Sequence, residues 1–285
     1  MTATSNIKWR ESLVATAILM LGWFSPASRA DGLSSTTEVR DFGGVLCGNS
    51  NFDIPLSKST CSANWSAADA FAGTGSAQSF AKYGILGASA IATTSSTSLG
   101  GGGYTTLSYA DASWNDTLSF ANLNQFATLQ AVFSLAGTSV SNCGTPGVAI
   151  CAGTTLGSSA RFDNGNGQIT DCELTATGSC TVSIAINGQS SVSFFGFLGL
   201  NAVAEVTGVG IGSGTASINY YDTAMVDSLL IVDANGNRVQ GASIVSSAGT
   251  DYNKIAETPE PSSIVLLGAG LLGLIGVVKL KNVTA

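Results

Sequence analysis

Two charge-free apolar stretches, one near each end, set the limits within which this chain can fold. Leu13–Phe24 (LVATAILMLGWF) and Ile264–Val278 (IVLLGAGLLGLIGVV) carry no ionisable side chain, and the sequence between them has a different character. The first stretch follows Lys8 and Arg10. It precedes Ser28 and Ala30, which put small side chains at the −3 and −1 positions of a cut between Ala30 and Asp31. A positive start, a short apolar run and a small-residue exit have the three-part form of a secretory signal. Twelve apolar residues are too few to anchor in a hydrocarbon layer roughly 30 Å thick, and they cover every side of a helix instead of one stripe. Residues 1–30 therefore read as a signal-peptide helix.

The second stretch reads as a transmembrane helix over residues 264–278. Its fifteen apolar positions rise about 22 Å, and flanking serines with snorkelling lysines narrow the remaining gap. Lys279 and Lys281 close it as a membrane stop, and positive residues stay on the cytoplasmic side, so the core is expected outside. Before it, Pro259 and Pro261 each disfavour helical geometry in the preceding residue.

The Pro259-Glu260-Pro261 triplet, the glycine-studded span behind it and the basic residues after it resemble the PEP-CTERM sorting domain of Gram-negative bacteria. The likeness covers residues 258–282. The chain departs from the family pattern in ending its span with two lysines and Asn282-Val283-Thr284-Ala285 instead of an arginine-rich cluster. The resemblance implies that Pro259, Glu260 and Pro261 form the motif recognised by an exosortase, a membrane-embedded transpeptidase. It also implies passage through the inner membrane to the cell surface or the extracellular, biofilm-type matrix. The stretch from Ala77 to Leu135, with YGILGASA and ASWNDTLSF, is similar in composition to β-rich cores of other PEP-CTERM proteins. That likeness implies a structural role and transfers no site residues.

Residues 31–258 remain as one extracytoplasmic domain, ahead of a sorting and anchor segment over 259–285. Without Lys8, Arg10, Arg29 and Glu11 at one end and Lys279, Lys281 and Glu260 at the other, the net charge moves from −7 to −10. So acidic a domain lacks the basic surplus that releases phosphate counterions, which excludes nucleic acid as a partner. The chain has no histidine, which removes Ser-His-Asp and Cys-His nucleophiles and histidine-ligated zinc or haem.

Alternation with a period of two recurs through this domain, and no segment keeps a 3.6-residue apolar stripe for three turns. Leu129, Ala131, Phe133 and Leu135 share one strand face, with Thr128, Gln130 and Ser134 on the other; Val182, Ile184 and Ile186 repeat the pattern. Asn187-Gly188 between TVSIAI and QSSVSFFGFL predicts a β-hairpin, as does Asn235-Gly236 within LLIVDANGNRV. Gly208, Gly210, Gly212 and Gly214 predict one strand with a bare face. Many strands with Gly/Ser/Asn turns indicate an all-β fold, a jelly-roll-like β-sandwich flanked by the two terminal helices.

The six cysteines form three close couples, Cys47/Cys61, Cys143/Cys151 and Cys172/Cys180. Six thiols allow fifteen connectivities, and proximity only ranks these three first. Export favours disulfides, each worth about 2–3 kcal/mol for a loop of roughly ten residues. Metal binding has neither C-x-x-C spacing nor histidine behind it.

Candidate chemistry is sparse. Asp233, Asn235 and Asn237 open like a calcium loop, but the glycine falls at position 4 and position 12 is Ile244, so a hairpin turn explains them. Asp163-Asn164-Gly165-Asn166-Gly167 reads as a plain turn with oxygen ligands. Glu38, Glu173, Glu205 and Glu257 accompany the aspartates without a local motif for paired-acid glycoside hydrolysis. Gly100–Gly103 lacks the Lys-Ser/Thr of a phosphate loop, and Lys58, Lys82 and Lys254 lie in no recognisable Ser-Lys context. Trp65, Trp114, Tyr104, Tyr109, Tyr220 and Tyr221 are the aromatics able to stack on sugar rings, although core or rim packing more often explains such residues at strand ends. The expectation is an exported, non-catalytic surface or matrix protein with no cofactor, no metal and no catalytic residue. Its partners are an exosortase-type enzyme, the membrane through 264–278, and extracellular polysaccharide. A lectin-like module and a polysaccharide hydrolase are the alternatives.

Overall fold

The computed structural model describes residues 32–41, 43–53, 55–67, 71–97, 102–123, 126–142, 149–208 and 211–252. The signal helix and the membrane helix expected at the two ends lie outside these residues. Among the described residues there is no helix, and so none long and apolar enough to cross a membrane.

Most strands alternate and bury one face, and two sheets meet over those faces. The front sheet contains β1 (Gly32–Asp41), β2 (Gly44–Asn51), β6 (Gly102–Ala121), β9 (Ala149–Asp163), β10 (Ile169–Leu174), β12 (Ser191–Gly208) and β14 (Ser243–Ser246). Its order is β10-β9-β12-β6-β1-β2, with β14 paired to the far end of β6. The back sheet contains β3 (Ser57–Ala67), β4 (Phe71–Lys82), β5 (Ile85–Ser96), β7 (Thr128–Leu135), β8 (Thr138–Asn142), β11 (Gly178–Ala185) and β13 (Gly212–Val232). Its order is β11-β7-β13-β5-β4-β3, with β8 also on β13. All pairings are antiparallel, and most connections leave one sheet for the other.

The core changes character across its width. Towards β9, β12 and β7 it is aromatic: Trp114, Phe133, Phe162 and Phe194 are fully buried. The Trp114 and Phe194 rings meet edge to face at 4.6 Å, and Gly196 leaves the space that the Trp114 ring fills. Towards β1, β3 and β4 the inward side chains are small and hydroxylated. Ser35 pairs with Ser57 and Thr37 with Ser59, each at 2.8 Å, and Thr94 donates to Thr106 at 2.8 Å. These bonds run from sheet to sheet, so buried hydroxyls are satisfied where large apolar residues are lacking.

Two local expectations are corrected. Asn187-Gly188 does not close a hairpin: β11 pairs with β7 in the back sheet, while β12 pairs with β6 and β9 in the front sheet. Gly188 takes the positive φ of 69° that the dipeptide favours, but the turn carries the chain between sheets. The long registers offered by β6 and β9 outweigh a short local pairing. Likewise Gly208 ends β12 and Gly212 begins β13, so the glycine run is not one strand. Asn235-Gly236 does turn a tight hairpin, bridging Val232 to Arg238.

Candidate functional site

On the outer face of the front sheet, alternation and register bring two rows of polar residues together. Thr36, Asp111 and Gly199 are neighbours across β1, β6 and β12, as are Glu38, Tyr109 and Asn201. Asp111 is 8% exposed, although it lies on the face away from the core. Burial pushes its carboxyl up to about 6, against hydrogen bonds from Thr36 and Tyr109 that favour the charged form. Burial and the adjacent Asp111 carboxylate push the Tyr109 phenol up as well. Both Asp111 Oδ1 and Asn201 Oδ1 are buried without a hydrogen-bond partner. Glu38 is held by Arg40, whose Nε and Nη2 donate to its two carboxylate oxygens, the latter at 2.9 Å. This bond holds the guanidinium pKa above its ordinary value. Glu38 and Asp111 thus stand diagonally on adjacent strands of one face, and of the two only Glu38 is paired with a cation among the described residues.

No motif announces this set, because its members come from three strands distant in sequence. Parity along β6 was the available signal. Asp111 alternates out of step with Ala110, Ala112 and Trp114, whereas Asp116 is in step with them and must face inwards. Asp116 is indeed fully buried. Ser247 Oγ (2.8 Å) and the Ala248 amide (3.2 Å) donate to its Oδ1, and Ser246 Oγ and the Tyr252 hydroxyl (2.7 Å) donate to Oδ2. A carboxylate with four donors fastens the chain after β13 onto the sandwich.

The residues singled out from sequence are scattered. Cys47–Cys61 joins β2 to β3, and Cys172–Cys180 joins β10 to β11, each with Cα atoms 6.0 Å apart. The third expected couple, Cys143/Cys151, is not among the bridges of the described residues. Cys151 is placed only as a backbone position on β9, opposite Glu205 of β12, and Cys143 falls outside the described residues, so the bridge expected between them does too. Ala30, Asp31, Pro259, Glu260, Pro261, Lys279 and Lys281 likewise lie outside them.

Trp114 is at the centre of the core and offers no face to a sugar. Trp65 is half-buried at the other end, where its Nε1 donates to Thr106 (2.9 Å) and its ring stacks near Tyr104, which stacks on Phe71. Tyr220 is buried, and Tyr221 packs edge-on against Phe80. Asp233 Oδ1 accepts the amides of Asn235 and Asn237, and Asp163 Oδ1 accepts that of Gly165, which is turn chemistry. These amides hold the Asp233 carboxyl below its ordinary value, with that of Asn237 foremost.

No curated protein matches the chain. Residues 257–279 match the family model of the PEP-CTERM protein-sorting motif, a segment that opens five residues after Tyr252. Such a motif implies export, transit through a membrane and exosortase-type sorting. The chain thus carries a PEP-CTERM sorting motif over residues 257–279.

Proposed function

We propose that the sandwich is non-catalytic cargo, exported, held at the inner membrane by residues 264–278 and then sorted to the cell surface or exopolysaccharide matrix. The observation that carries this reading is the adjacency of the Asp116–Tyr252 latch to the sorting motif. Tyr252, the last described residue, is fastened to the sandwich five residues before the matched segment that an exosortase-type enzyme would process. The outer face of the back sheet suits a hydrated surface: Asn64, Thr74, Thr93, Thr215 and Asn142 form one uncharged row across five strands. Pro259, Glu260 and Pro261 are read as the recognition motif, Lys279 and Lys281 as the stop, and Ala30–Asp31 as the signal cut.

Replacing Glu260 with Ala should leave full-length chain in the membrane fraction, while the unaltered chain is released without its tail. Intact mass of the released product would locate both cuts and show the proton loss of three disulfides. Release of the Glu260→Ala chain at the normal rate and mass would refute the sorting reading.

A further inference from the structure

The outer face of the front sheet holds an acceptor set with nothing to accept. Asp111 Oδ1 and Asn201 Oδ1 are both buried and unpartnered, on adjacent strands and on the same face. A buried acceptor without a donor is costly, and nearly all are satisfied in folded proteins, so two neighbouring exceptions call for a missing donor. Two glycines thin the outer side-chain layer at this point, and the Phe197 ring covers one of them. Gly199 lies beside Asp111, and Gly157 continues the row on β9, between a row ending in Phe197–Ser159 and one ending in Asn201–Thr155. The Phe197 ring leans over Gly199, close enough that a Cβ there would meet its Cζ at 2.8 Å.

We propose that this glycine notch, uncovered when the Phe197 ring turns off Gly199, binds a neutral pyranose unit of a polysaccharide through Asp111 and Asn201, with the displaced ring as its aromatic wall. Adjacent hydroxyls of a sugar supply two donors side by side, which is what a pair of unpaired acceptor oxygens needs. The apolar face of the ring matches a half-exposed aromatic side chain, in the usual mixture of a few polar groups on an apolar wall. A calcium ion takes six to eight oxygen ligands, whereas Glu38 is committed to Arg40 through both oxygens and Asp111 is the one carboxylate left at the notch among the described residues. The site goes beyond the sorting reading and does not depend on it.

The test is affinity electrophoresis and titration calorimetry of the purified full chain in detergent against cello-, xylo-, manno- and chito-hexaose. At least one should bind, and Asp111→Asn and Asn201→Ala should each weaken it tenfold or more. Asp111→Asn should do so without lowering the thermal midpoint, which separates a lost contact from a lost fold. Thr74→Ala, on the opposite sheet, should bind as the unaltered chain does. Absence of binding to all four probes, or equal binding by both notch variants, would overturn the proposal. So would stabilisation by calcium alone that Asp111→Asn abolishes, or cleavage of a probe that Glu38→Gln abolishes. Failure of sorting in cells would leave the binding result untouched.

Discussion

Asp116 and Asp111, five residues apart on β6, show how parity sorts two identical side chains into opposite roles. Asp116 points inwards and has every oxygen satisfied. Its replacement by Ala removes the acceptor of the buried Ser246 and Tyr252 hydroxyls and frees Ser247 and Ala248 from the sheet. That should cost on the order of 2–4 kcal/mol in urea unfolding, with faster hydrogen exchange across 243–252 than elsewhere. Asp111 works in the other direction. Its carboxyl titrates at about 6 in the fold and near 3.9 in the unfolded chain, so the folded state binds the extra proton between those values. This group's contribution should therefore raise stability as pH falls from above 6 towards 4, by about 2–3 kcal/mol at most. In Asp111→Asn that increment should be absent from the pH dependence of the unfolding free energy, and the variant should be the more stable at pH 7. A residue that weakens its own fold at neutral pH fits a role in binding better than one in folding.

At the scale of elements, the two described disulfides close the two open sides of the sandwich. β2 and β3 are the edge strands on one side, β10 and β11 on the other, and one bridge spans each gap. Replacing Cys47 and Cys61 together with Ser should lower stability by about 3 kcal/mol, the loop-closure value for a separation of 14 residues. It should also promote association through the loosened edge, visible by light scattering. Both pairings were ranked first by proximity in the sequence, and proximity succeeds here because strands adjacent in sequence lie opposite each other at the edges. The alternation of β7 and the Asn235-Gly236 turn were legible for the same local reason. Asn187-Gly188 was not, because turn chemistry states how the backbone bends and says nothing about which sheet the next strand joins. The notch was illegible too, since cross-strand register decides which residues meet. Core or rim packing was the commoner expectation for Trp114, and its parity with Ala110 and Ala112 on β6 agrees with the buried position it takes.

The whole molecule combines a closed, stapled body with a processing segment directly behind it. Between Tyr252, held by Asp116, and Pro259 lie six residues, and seven Cα-to-Cα steps reach no more than about 25 Å. β13 alone has 21 residues, roughly 70 Å of strand. The leash is shorter than the body it restrains. If residues 264–278 hold the chain in the membrane as proposed, the sandwich rides against the lipid surface, and an enzyme working on the triplet must share that narrow space with it. Twelve Gly/Ser residues inserted after Asn253 should speed tail removal in pulse-chase measurements, and Asp116→Ala, by releasing 243–252, should have a similar effect without any insertion. Tight fastening at one carboxylate would then set the pace at which the protein departs from the cell.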